Sequence, residues 1–170
     1  EQGTGLIVTA ICFRLKKNGI PSIGYKDITS FMSAKGKNNL TLGEVREAVL
    51  AIRKEKFSDI ATYGTAGSFF KHPIVTEAEG EAFLKKFPDA PHFDAGNGRL
   101  KISAGWIIDH ALELRGIRKG NVGTWEKQAL CLVNYGGASE KEVLAFAREI
   151  QYLAAVKTNI MLEPEVVFVE

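Results

Sequence analysis

Three times this chain writes the same short signal: a serine or threonine followed three residues later by a glutamate, just before an apolar-periodic stretch. The pairs are Thr41 and Glu44, Thr76 and Glu79, and Ser139 and Glu142. In such a pair each side chain bonds the other residue's backbone N–H, so two orphan donors of a helix start are satisfied at once. The spacing therefore predicts three helix starts. After the first, Val45, Ala48, Val49 and Ile52 fall on one face. The second opens a helix through Phe87, which Pro88 closes. The third opens a helix ending near Lys157, with Val143, Phe146, Ala147, Ile150, Leu153 and Ala154 on its apolar side.

Between these helices the apolar runs are short and strand-like. Leu6 to Leu15 reads as a buried strand ended by the turn Lys16-Lys17-Asn18-Gly19. Gly64 to Val75 reads as a glycine turn entering an apolar strand. Leu100 and Ile102 precede a helix expected from about Ser103 to Leu114, with Gly116 marking its end. Strands are expected around Val122 and from Gln128 to Val133, with Gly136-Gly137 as the next break. Ile160 to Val169 reads as a closing strand, and Pro164 inside it points to an edge or a turn. Helices alternating with short, often adjacent strands predict an α+β fold: a small, mostly antiparallel sheet with helices on one face.

Composition mainly excludes. A net charge of +2 is too small to call for nucleic acid or a membrane surface. There is no apolar run long enough for a membrane span, so no membrane insertion is expected. Cys12 and Cys131 both sit in apolar runs and are expected as packed thiols in a reducing compartment. His72, His92 and His110 share no metal-ligand spacing with them, so no metal site is expected. The run LIVTAICFRL has no charged n-region or cleavage site ahead of it, so it is not a signal peptide. Opening on an interior-type strand predicts a further segment upstream of Glu1.

Three strings could carry chemistry. In Gly64-Thr65-Ala66-Gly67-Ser68-Phe69-Phe70, two glycines let the backbone approach a ligand and two phenylalanines can anchor the strand that carries Ser68. A glycine turn entering a buried strand accounts for the same residues. The string lacks the glycine pattern of a nucleophile elbow and is too short for a phosphate loop. In Leu162-Glu163-Pro164-Glu165-Val166, a carboxylate beside proline also fits a solvated edge. The cations from Arg53 to Lys56 also suit a helix C-terminus with no ligand.

Taken together and in order, these strings resemble the second half of the UDP-N-acetylenolpyruvoylglucosamine reductase (MurB) family. Gly64 to Lys71 is similar to that family's GNAGSFFKNP segment, and Lys101 to Asp109 to its KLSAGWLID helix start. Gln128 to Asn134 is similar to its ALVLVN strand, and Leu162 to Val166 to its LEPEVRF terminus. The resemblance implies a flavoprotein oxidoreductase of peptidoglycan biosynthesis, working in the cytoplasm. NADPH would reduce a bound FAD, and hydride would pass to the enolpyruvyl ether of UDP-N-acetylglucosamine enolpyruvate. It implies Ser68 as the proton donor and Glu165 as the stabiliser of the enol-like intermediate, with Gly67 and Ser68 against the cofactor. The family's third catalytic member, an arginine, belongs to its flavin domain.

The resemblance further implies substrate contacts at Tyr25, Lys56, His72, Arg115 and Gln128. Tyr25 and Lys56 fall where the longer, type I members face the diphosphate. The implied partner is an N-terminal FAD-binding domain. On this reading residues 1–57 are the tail of that domain, 58–159 a substrate-binding domain, and 160–170 a terminal strand carrying the catalytic glutamate. Two positions depart from the pattern. His72 replaces an asparagine and offers one donor where the amide offers two; Val167 replaces an arginine. Both predict a weaker grip on the sugar nucleotide. A non-catalytic nucleotide-sugar binding module is the alternative these residues leave open.

Overall fold

The computed structural model describes residues 8–21, 23–24, 26–34, 36, 40–56 and 62–168. Internal packing divides the chain into two units, Glu1–Ile52 and Arg53–Glu170. In the first, helices α1 (Lys26–Ala34) and α2 (Leu42–Lys56, which runs on into the second unit) bring Ile28, Met32 and Ala48 together. Val45, Val49 and Ile52, spaced for one helix face, pack against that small core. The start of α2 is the first of the three caps: Thr41 N–H donates to Glu44 Oε2 at 2.9 Å, and Glu44 N–H donates to Thr41 Oγ1 at 3.2 Å.

The second unit holds α+β structure in two three-stranded antiparallel sheets. The first contains β1 (Ile74–Thr76), β2 (His92–Gly96) and β3 (Arg99–Ile102), with β3 in the middle. Helix α3 (Glu77–Lys86) follows β1 and packs its Gly80 and Phe83 inward. Its cap is reciprocal, Thr76 N–H to Glu79 Oε2 at 2.8 Å and Glu79 N–H to Thr76 Oγ1 at 3.3 Å. After β3, Ser103 caps a single helical turn, α4 (Ala104–Trp106), which widens into a π-helical turn over Ile107–Ala111.

The second sheet is β4 (Arg118–Lys119), β5 (Val122–Trp125) and β6 (Gln128–Asn134), with β5 in the middle. Helix α5 (Glu140–Thr158), capped by Ser139 and Glu142, packs on the π-helical turn and on β5. The core between these layers buries Phe70, Ile102, Ile107, Ile108, Ile150 and Leu162 completely. The burial of this many large apolar side chains is the main stabilising term for the unit.

Several expectations are corrected. Residues 8–15 form no strand and lie exposed, Cys12 among them; residues 6–7 are outside the described residues. A strand exists only where another backbone pairs with it, and among the described residues the first unit contains none. Cys131, by contrast, is buried as expected, and that burial pushes its thiol pKa up. Residues 160–168 make no strand either; Pro164 makes one isolated bridge to Phe70 and has no N–H to extend a ladder. The helix expected from Ser103 to Leu114 is shorter, because Leu112 N–H reaches back to Ile107 at 2.9 Å and Glu113 turns left-handed at φ 59°. From Gly64 to Val75 the expected strand is reduced to bridges at Gly64, Ser68 and Phe70 before β1.

Candidate functional site

Ser68 is presented by a bulge. Gly64 bridges Asn134 and Ser68 bridges Cys131, so four residues of advance along one backbone meet three along β6. The surplus residue is absorbed at the turn, where Gly67 takes φ +78° and donates its N–H to Thr65 Oγ1 at 3.1 Å. Such a bulge re-aims the side chain beside it. Ser68 is exposed, whereas Phe69 and Phe70 after it are buried and meet edge to face at 5.1 Å. The rings hold the backbone in the core while Ser68 itself stays exposed.

The C-terminal segment closes on the other side of this bridged segment. Phe69 N–H donates to Leu130 of β6, and its carbonyl accepts from Glu165 N–H, each at 2.9 Å. Lys71 N–H donates to the Glu163 carbonyl at 2.8 Å, and the two side chains form an ion pair. Residues 68–71 thus lie between β6 and residues 163–165, with Glu165 beside the residue that follows Ser68. No local pattern joins these positions; the pairing does.

His72 follows this bridged segment, ahead of β1, and meets the start of α4. Its Nδ1 accepts the Ala104 N–H at 3.0 Å, which satisfies a helix-start donor and leaves the ring proton on Nε2. Although His72 is exposed as a residue, partial desolvation of its ring lowers its pKa below the ordinary value; the Lys101 ammonium adds to this, and Glu165 opposes it. Lys101 was not singled out from the sequence. Its signal was its place between Leu100 and Ile102 in β3, which turns it away from the buried Ile102.

Gln128 opens β6, pairs with Trp125 across the hairpin, and places its Oε1 against Gly105 in α4. It therefore lies on the same α4 turn that His72 contacts. Lys56 ends α2, and its carbonyl accepts the Trp125 indole N–H at 3.0 Å. Arg115 is engaged elsewhere: its guanidinium donates to Asp109, with Nε at 2.7 Å from Oδ1 and Nη2 paired to the other oxygen. Tyr25 lies outside the described residues. Val167 is exposed, next to Phe168, whose ring is 6.3 Å from Phe69.

Residues 59–169 match the family model described as UDP-N-acetylenolpyruvoylglucosamine reductase, C-terminal domain. The chain belongs to this reductase family. Ser68, His72, Arg115, Gln128 and Glu165 all fall inside the matched C-terminal domain, and Lys56 and Tyr25 precede it. Among similar proteins named UDP-N-acetylenolpyruvoylglucosamine reductase, that of Chromobacterium violaceum is 41% identical over 165 residues, covering 97% of this chain and 48% of the relative. That of Burkholderia vietnamiensis is 40% identical over 160 residues, covering 93% and 46%. That of Pasteurella multocida is 34% identical over 167 residues, covering 98% and 48%. The chain spans about half the length of the curated relatives it matches.

Among the described residues no helix is long and apolar enough to cross a membrane.

Proposed function

We propose that the protein carrying this chain reduces UDP-N-acetylglucosamine enolpyruvate to UDP-N-acetylmuramate in the cytoplasm, for peptidoglycan synthesis, using FAD and NADPH. The observation that carries this reading is the pairing of residues 68–71 between β6 and residues 163–165, which brings Ser68, His72 and Glu165 onto neighbouring segments. The relatives' shared name favours it over a non-catalytic nucleotide-sugar module. On the same reading residues 1–57 complete a flavin domain; the boundary at 57/58 lies outside the described residues.

The residues fit one wall of a flavin site. Gly67 carries no side chain and has open space where a Cβ would stand, and Ser68 beside it is exposed. When bound and reduced, the flavin would supply hydride to the methylene carbon of the enolpyruvyl group, having been recharged by NADPH.

This chain's own residues handle the consequence. Hydride addition leaves negative charge on the carboxylate side of the former double bond, and the neighbouring carbon must then receive a proton. Ser68 Oγ donates that proton. A serine is a weak acid in water, so it works only when held against the carbanion with water excluded. The buried Phe69 and Phe70 fix the backbone on which that placement depends. Glu165 stabilises the enol-like intermediate from the adjacent segment, where preorganised groups act at no reorganisation cost. His72, with its proton on Nε2, and Gln128 offer donors to the nucleotide sugar, and Lys56 and Tyr25 take the diphosphate. Arg115 extends the substrate-side set once it exchanges Asp109 for the ligand.

The test uses the full-length protein with flavin bound. Ser68→Ala is expected to leave flavin reduction by NADPH intact and to slow sugar reduction by at least about a hundredfold. Unchanged sugar turnover in that variant removes Ser68 from the role.

A further inference from the structure

Trp125 holds a position that the reading above leaves unused. Its indole N–H donates to the Lys56 carbonyl at 3.0 Å, joining residues 69 apart in sequence. A helix leaves its last carbonyls without intrahelical partners, and Lys56 is the last residue of α2. A side chain from the β5–β6 hairpin thus closes the end of a helix from a different part of the chain.

The indole is itself held. Tyr63 meets it with ring centroids 5.9 Å apart, and Tyr63 meets Tyr135 edge-on at 5.2 Å. The Arg118 guanidinium lies over Tyr135 at 4.4 Å. The row is possible because position 123 is glycine: a Cβ there would stand 3.0 Å from Tyr135 Cε2 and 2.4 Å from the Ile117 carbonyl oxygen. At its other end Trp125 pairs with Gln128 across the hairpin. One residue therefore ties the backbone of Lys56 to the strand start that carries Gln128.

We propose that Trp125 is a positioning residue for the nucleotide sugar: its indole N–H fixes the end of α2 so that Lys56 and Gln128 are presented to the ligand at a set separation. This rests on the function proposed above and deepens it. It assigns the diphosphate grip to a brace between two elements rather than to Lys56 alone. Trp125 touches no reacting atom on this account, so its effect belongs in binding and not in chemistry.

The experiment is a double-mutant cycle in the full-length, flavin-bound protein. Trp125→Phe keeps a ring against Tyr63 and deletes the donor. It is expected to raise KM for the enolpyruvyl nucleotide sugar about fivefold, the effect of one lost hydrogen bond. Both kcat and flavin reduction by NADPH should be unchanged, the signature of lost uniform binding. In a Lys56→Ala background, which keeps the carbonyl but removes the ammonium that the brace positions, the same change should add much less. Tyr63→Leu, which loosens the indole without deleting its N–H, should raise the same KM by a smaller factor and serves if Trp125→Phe is unstable. A KM unmoved by Trp125→Phe, alongside a raised KM in Lys56→Ala, overturns the brace and leaves the role of Lys56 standing. Fully additive effects also overturn it. A KM unmoved by Lys56→Ala overturns the diphosphate role of Lys56 and the inference with it. A merely structural tryptophan would lower the melting temperature and leave KM where it was.

Discussion

His72 is the residue at which this chain's own chemistry is easiest to isolate. Its Nδ1 must stay unprotonated to accept the Ala104 N–H. Protonation places a hydrogen on that nitrogen, breaks the contact and leaves the helix-start donor unpaired. Desolvation is the largest influence on the ring and Lys101 acts with it to disfavour the cation; Glu165 alone favours the cation, and the pKa is held down. A histidine with a lowered folded pKa binds its proton more readily when unfolded. Its contribution to stability is therefore present above the ordinary histidine pKa and is lost as pH falls through the lowered folded value. His72→Asn, which cannot titrate, is expected to lose less melting temperature than the parent chain between about pH 7 and about pH 5. Parallel pH profiles for the two proteins would show that the contact carries no such linkage. Ser68 and Glu165 became candidates only through the resemblance of their strings to the family's, since each string alone also fits a turn or a solvated edge. Trp125 could not become one, since its partner Lys56 is a backbone carbonyl far along the chain and leaves no local pattern.

At the scale of elements the caps decide what sequence could reveal. A capping box is complete within four residues, and at Thr41, Thr76 and Ser139 the reciprocal bonds all form. The glutamates feel them: bonds from Thr76 hold the Glu79 carboxyl, and bonds from Ser139 that of Glu142, below the usual range. Ser139→Ala is expected to destabilise the second unit by about 1 kcal/mol and to lower its melting temperature by a few degrees. A Glu142→Gln variant, still able to accept, should lose less. An unchanged melt for Ser139→Ala would mean that α5 is held by packing alone. Strands were harder to read for the opposite reason. Residues 8–15 have strand composition but no described partner, and β2 has partners but is exposed at every position, so no alternation announces it. The π-helical turn after α4 was invisible too, because apolar Ile107, Ile108 and Ala111 suit an ordinary helix equally well.

For the molecule as a whole, the contrast between the two units is one of burial. The second unit has a continuous core in which Phe70, Ile102, Ile107, Ile108, Ile150 and Leu162 are fully enclosed. The described core of the first rests on Ile28, Met32 and Ala48. In the same unit Val8, Ile11, Phe13, Leu15 and Ile20 stand 70–95% exposed. Apolar surface of that kind on one unit calls for a cover, and the N-terminal flavin domain proposed above is the cover this reading supplies. A chain of about 120 residues with a closed core is large enough to fold alone, whereas one of about 50 with a small core is marginal. Residues 53–170 expressed alone are therefore expected to melt in one cooperative transition within a few degrees of the 170-residue chain. The whole chain should bind an apolar fluorescent dye, and the shortened one should bind much less. Supplying the flavin domain should suppress dye binding to the whole chain. Equal dye binding by both lengths would trace it to the apolar side chains that the second unit also exposes, Phe93, Val156, Met161 and Val167 among them, and remove the case for a cover over residues 8–20.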